Sequence, residues 1–305
     1  MSLLYRRRVF GAIQQSAVGT PGTLDTSHTF FCFDPIPQAQ IAMHERVATG
    51  SLGELKSIAG PTAGKVSFSL ELAGSGTSGT PTPAWATALL PCCGYVASGN
   101  IFSPTSNPAN FKVATIGVYE SGVLKLLTDA MGTFSVEGEN GKPGMVKFDF
   151  SGIWVAPTDV TMLALPSFPI TPPRFAAATF TVGGFTPKIS KFSLAAGNTV
   201  KYIDDLTKAS GYSQAIVTER KIRGGLDPIH ELVGTWDAFG QWIGNTTQAM
   251  SMAIGSVAGN IVTIAAPAFQ IDDNQEGNRD GIVTLDTKFK CNDSAGDDSL
   301  TITFS

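Results

Sequence analysis

A mainly β fold, two tandem β-sandwich or barrel units that each carry one short α-helix, is what this sequence predicts, on three observations. Apolar and polar residues alternate with the period of a half-buried strand, Gly- and Asn-containing turns punctuate those runs, and one strand pattern is written twice. The repeated pattern is "GMVKFDFSG" against "GIVTLDTKF", in which Val146 answers Val283, Phe148 answers Leu285 and Asp149 answers Asp286.

The alternation is clearest where Val66, Phe68, Leu70 and Leu72 share one face and Lys65, Ser67, Ser69 and Glu71 the other. Further strands are expected over 112–120, 123–128, 133–137 and 145–155, with "ESG" and "ENGKPG" as hairpin turns. Helix signals occur twice. In "TPAWATALLP", Thr82 can cap, Pro83 fits the first turn and Pro91 ends the segment. In "TWDAFGQWIG", Thr235 can cap, Asp237 suits the positive end, and Trp236, Phe239 and Ile243 form one stripe. Trp85 and Trp236 are therefore the expected helix anchors of two equivalent cores.

The repeat extends to Phe134 and Val136, which answer Phe269 and Ile271, while "SGNIFSPTSNPANF" supplies extra residues between helix and strands in the first half. A proline-rich stretch, "ALPSFPITPPRF", joins the copies, placing one unit at 1–168, with an N-terminal arm, and the other at 169–305. The uncharged window Met250–Phe269 has a membrane-spanning length, but its glycines and Pro267 favour two strands joined at Gly259-Asn260.

Composition excludes several functions. Only 15% of the 305 residues are charged and the net charge is −4, so no broad basic footprint for nucleic acid is expected. Cys32, Cys92, Cys93 and Cys291 lack paired CxxC spacing and read as free thiols of a reducing compartment. His28, His44 and His230 have no ligand spacing. Asp272, Asn274, Glu276, Gly277 and Asp280 resemble a calcium loop, but Val283 stands where its bidentate Glu belongs, so a hairpin turn is the expectation. "AGSGTSGTPTP" lacks the Lys of a phosphate cradle, and no GxSxG elbow or acid–base pair can be assembled. Neither an enzyme, a metal nor a cofactor is expected. The apolar run after Arg6, Arg7 and Arg8 is too short for a signal peptide, so synthesis in the cytoplasm is expected.

The opening "YRRRVFGAIQQSAVGTPGTLDTSHTFFCFDPIP", the block "VSFSLELAGSGTSGTPTPAWATALLPCCGY", the later "GVLKLLTDAMGTFSVEGENGKPGMVKFDFSGIWVAPTD" and the ending "DGIVTLDTKFKCNDSAGDDSLTITFS" together resemble major tail tube proteins of long, non-contractile-tailed bacteriophages. The resemblance spans nearly the whole chain. It implies a structural virion protein that stacks as rings into a hollow tail tube, the conduit for the genome, assembled in the host bacterial cytoplasm. Implied partners are further copies of the chain, the tape-measure protein and passing DNA in the lumen, and tail-tip and tail-terminator proteins, with no membrane.

Single-unit relatives build rings of six, so two units per chain imply a trimeric ring of pseudo-sixfold geometry, with a hexamer of whole chains as the other arrangement. The alternation then nominates Ser67, Ser69, Glu71, Asp149 and Asp286 as lumen-facing, with Lys147 and Lys288 as basic exceptions. Contacts between rings are expected from His44–Ser57, Asp204–Ser213 and an arm over Met1–Thr26. The rival reading is a carbohydrate-binding or adhesive β-sandwich of a virion.

Overall fold

The alternating runs of the first half form nine strands, described here in a computed structural model over residues 4, 6–50, 52–166, 170–176 and 178–305. They are β1 (Arg8–Gln14), β2 (Thr29–Phe30), β3 (Phe33–Arg46), β4 (Leu55–Glu71), β5 (Tyr95–Ser98), β6 (Ile101–Pro104), β7 (Ala114–Glu120), β8 (Val123–Glu139) and β9 (Met145–Asp159). The second half adds β10 (Thr179–Val182), β11 (Lys191–Ala195), β12 (Asn198–Asp204), β13 (Tyr212–Arg220), β14 (Arg223–Leu226), β15 (Thr247–Ile254), β16 (Val262–Arg279), β17 (Ile282–Asn292) and β18 (Thr301–Phe304). Two helices interrupt them, α1 (Ala84–Leu89) and α2 (Ala238–Ile243). The chain is mainly β. Among the described residues, no helix is long and apolar enough to cross a membrane. The uncharged window at Met250–Phe269 is the β15–β16 hairpin.

Strand order repeats between the halves. The first half pairs β1-β7-β8-β9-β4-β3 and the second β10-β15-β16-β17-β14-β11, every pair antiparallel. Both copies turn tightly into a long strand or out of one with two consecutive residues in the left-handed region, Ser121-Gly122 between β7 and β8 and Asp280-Gly281 between β16 and β17, the conformation that matches strand twist in a two-residue hairpin. The boundary expected at residue 168 lies outside the described residues.

A bulge fixes the equivalence of residues. On β7–β8 it falls between Ala114 and Ile116, opposite Leu127 to Ala130; on β15–β16 it falls between Gln248 and Met250, opposite Ala266 to Phe269. Ala130 therefore corresponds to Phe269, and by the ladders that follow, Phe150 corresponds to Phe289 and Phe10 to Phe180. This corrects the sequence register. Asp286 corresponds to Lys147 and Asp149 to Lys288, because the true offset between β9 and β17 is two residues longer than the shared aspartate suggests. Parity is kept under that slip of two, which is why alternation did not expose it. Phe134 likewise corresponds to Asn274, not Phe269, after a second bulge between Ile271 and Asp273.

Two seams join the halves into one sheet. β11 pairs with the end of β8, Lys191 opposite Glu139 through Ala195 opposite Ser135, and the C-terminal β18 pairs with β6. β6 belongs to the hairpin made by the extra first-half segment, which thus has a structural duty. A single apolar core runs through both halves, from Phe68, Phe134 and Phe148 to Phe192, Phe269 and Phe289.

Several expected elements differ. The segments 123–128 and 133–137 are one strand, kinked where Asp129 adopts a positive φ of 49° beside a bulge. Of the arm expected over Met1–Thr26, the described part from Arg8 to Gln14 is not detachable: β1 pairs along its whole length with β7, and Phe10 is buried with its ring 4.2 Å from that of Phe68. Neither expected threonine caps. Pro83 occupies the cap position of α1 while the Thr82 hydroxyl bonds Asn100 at 3.0 Å, and Asp237 caps α2 by accepting from Gly240 N–H at 2.7 Å.

Candidate assembly surface

Alternation makes one face of this sheet the core wall and leaves the other polar, and the seam carries that second face across both halves. Ser69, Lys147, Ser135, Ala195, Arg223, Lys290 and Gln270 lie side by side as successive cross-strand partners over seven strands. A parallel row runs from Glu71 through Met145, Glu137, Ser193 and Gly225 to Lys288 and Asp273. Ser67 pairs opposite Asp149 and its hydroxyl donates to that carboxylate. Asp149 and Asp286 are both exposed, each flanked by inward neighbours, Phe148 and Phe150 or Leu285 and Thr287. All five sequence-nominated polar residues, Ser67, Ser69, Glu71, Asp149 and Asp286, therefore lie on one continuous face.

Acids and bases interleave there. Lys191 opposes Glu139 across the seam, Lys288 bonds Asp273 at 3.0 Å, and Asp272 is shared between Arg223 and Lys290. Hydrogen bonds from Gln275 and Lys288 hold the Asp273 carboxyl below its ordinary pKa. The acidic stretch that resembles a calcium loop is thus the end of strand β16, with the expected hairpin turn confined to Asp280-Gly281 and with Asp272 and Asp273 paired to arginine and lysine side chains.

The tryptophans occupy unlike places. Trp85, on α1, sets its ring edge against Phe148 of β9 and Phe304 of β18, at 6.0 and 5.7 Å, so it bridges the halves rather than serving one. Trp236 precedes α2 instead of lying in its first turn; it is buried and stacks on Phe185 at 5.3 Å. The expectation of two equivalent helix anchors is corrected accordingly.

Among the described residues the sheet has several edges, the short β2, β5 and β10 being paired on one side only, and two further edges match the two sides of the β8–β11 seam. On its far side from β17, β16 is paired with β15 only as far as Gln270, and among the described residues no strand pairs there with Asn274–Arg279. The matching part of β8 is the segment occupied by β11. At the other end β3, the counterpart of β11, pairs with β4 alone, and it carries Pro35 and Pro37, residues tolerated in sheets chiefly at an edge. Sequence reasoning missed both edges, although the two prolines were a usable sign.

The predicted wide connections are the tips of two hairpins that behave differently. β12–β13 folds across β8 of the first half, closing a second small core around Val113, Met131, Ala215 and Val217. Tyr202 there bonds the Gly64 carbonyl at 3.1 Å, and Ser210 accepts from Thr62 N–H at 2.9 Å. Asp204–Ser213 is therefore anchored at its base on its own chain. Among the described residues the tip of β3–β4 shows no such cover: Met43, Val47, Leu52, Leu55 and Ile58 are all exposed, Val47 by 79%.

The four cysteines are free, and burial pushes every thiol up, Cys32 and Cys291 to about 12. They are poor nucleophiles. No family model and no curated protein sequence matches this chain.

Proposed function

We propose that this chain is a self-assembling structural protein of a phage tail tube, closing head to tail into rings through the two sheet edges that match the β8–β11 seam. The observation that carries the reading is the β8–β11 seam: it shows, inside one chain, a contact whose two halves are left unpaired at opposite ends of the same sheet. By the residue equivalence, Gln275–Arg279 of one copy would face Asp34–Gln38 of the next. Such a contact is heterologous, and heterologous contacts generate closed rings or open filaments. Edges this open invite pairing, and ring closure removes them.

Equal seams within and between chains favour three chains per ring over six. The continuous polar face then lines the lumen, where interleaved charges would let DNA pass without the counterion release that makes a basic surface hold it. The partners at the tube ends and the tape-measure protein belong to the same proposal, as does a location in the virion tail. Electron microscopy of the purified protein, with native mass spectrometry of the smallest assembly, tests it. Rings or tubes with three chains per ring are expected. A hexamer of whole chains with one half outside the wall would overturn the trimer, and a protein that stays monomeric at high concentration would overturn the tube.

A further inference from the structure

The surface on which the β12–β13 hairpin lies has a counterpart in the second half that, among the described residues, no hairpin covers. Within the chain, Tyr202 lies over Gly64, Ser151 and Gly152 of the first half. Sheet register makes Ile222, Lys290 and Cys291 the corresponding residues of the second half. These three line a cavity of about 440 Å³, with Arg220, Lys221 and Arg223 around them. The same register makes β3–β4 the counterpart of β11–β14, so that Met43 stands for Val200 and Glu45 for Tyr202.

We infer that the β3–β4 hairpin of one copy docks on the second half of a neighbouring copy, with Glu45 entering this basic cavity. The occupant is a second copy of the chain, and the inference rests on the ring reading above. Two observations favour it. The hairpin's outer part is rich in exposed apolar side chains, and where Met43 and Ile58 are exposed their second-half counterparts, Val200 and Ile216, pack on the small core with Met131. Charge also matches: the described residues lining the cavity include Arg220, Lys221, Arg223 and Lys290 as cations and Asp293 as an acid, Glu219 answers Lys221, and Asp272 is shared between Arg223 and Lys290, so Lys290 has a shared carboxylate and Glu45 supplies another. Arg220 is already engaged, donating to the carbonyls of Gly94 and Thr105, so it forms the cavity wall and Lys290 is the nearer partner for an entering acid.

The contact differs from the ring-to-ring role expected for His44–Ser57, since it places the hairpin beside the seam of the same ring. A paired cysteine variant, Glu45→Cys with Lys290→Cys, tests it on the full-length protein after assembly and mild oxidation. Disulfide-linked trimers on a non-reducing gel are expected; because Cys291 lines the same cavity, the double variant also carries Cys291→Ser, and the Glu45→Cys and Lys290→Cys single variants in that background should give no linked chains. Separately, Glu45→Lys and Lys290→Glu should each raise the concentration needed for assembly by about tenfold, and the combined swap should restore most of it. Assembled rings that give no linked chains, and that tolerate both single swaps, would overturn the hairpin contact and leave the ring reading standing. A wild-type protein that forms no rings would overturn the reading and the contact with it.

Discussion

Leu194 of β11 lies directly opposite Val136 of β8, both fully buried, so one residue from each half meets in the ladder that makes the two halves a single sheet. Cutting Leu194 back to alanine should cost about 2–5 kcal/mol, the range for an emptied core site. Because the core is shared, the loss should lower one common urea midpoint for both halves. Two separate transitions, with only the second half shifted, would show the seam to be a weak joint instead.

Trp236 offers a sharper test of packing. Its indole N–H is buried with no acceptor among the described residues, while its ring stacks on Phe185. Trp236→Phe keeps an aromatic stack and removes the unpaired donor, so it should cost less than about 1 kcal/mol. Trp236→Ala and Trp85→Ala should each cost about 3–5 kcal/mol. Equal midpoints for the phenylalanine and alanine variants at position 236 would discard the stacking account.

Glu120 links stability to pH. Burial alone would raise its pKa, but hydrogen bonds and charge from Lys125 and Arg8 outweigh burial and hold it below the ordinary carboxylate value. A depressed folded pKa means a contribution fully present above the unfolded value of about 4.3 and lost as pH falls through the folded one. Glu120→Gln should therefore be less stable than the wild type at pH 7, and the gap should shrink steadily below about pH 4. Urea midpoints at pH 7 and pH 3 decide it. A gap independent of pH would mean that the glutamine disturbs packing and that charge has no part.

The polar face makes a prediction about DNA. Replacing both Asp149 and Asp286 with lysine turns two acids into bases without touching the core, since both side chains are exposed. The fold should survive with an unchanged melting temperature to within the usual surface scatter. Assembled variants should retain DNA in a filter assay at low salt and release it as salt rises, whereas wild-type assemblies should retain little. Retention identical to the wild type would place this face away from the lumen.

Much of this architecture could be read from the chain and some could not, for identifiable reasons. Period-two alternation correctly assigned the faces of β4, β9 and β17, because one side of each is core and the other solvent. It could not assign register between the repeats, because a slip of two residues preserves facing. Bulges settle that question, and a bulge is a local backbone event with little composition of its own, as at Asp129. The polar candidates fell on one face because facing was what the pattern encoded. The seams, the open edges and the cavity beneath the missing hairpin depend on which strands meet, and residues 136 and 194 carry no mark that they will be neighbours. Trp236 shows the remaining failure: an aromatic stripe near a good helix start was read as part of the helix, while the cap is Asp237, two residues beyond the expected Thr235.

The β8–β11 seam is tethered within one polypeptide, and this changes how an assembly of such chains would come apart. A contact held by a covalent linker acts at a fixed effective concentration, so dilution cannot reverse it. In a three-chain ring every second junction would be of this permanent kind, leaving only the alternate junctions subject to mass action. Nucleation would then need three encounters rather than six, and disassembly would yield intact double units, never single ones. In such an assembly the duplication would make the growing end of a tube harder to erode at low subunit supply, a kinetic advantage that no additional buried surface is required to produce.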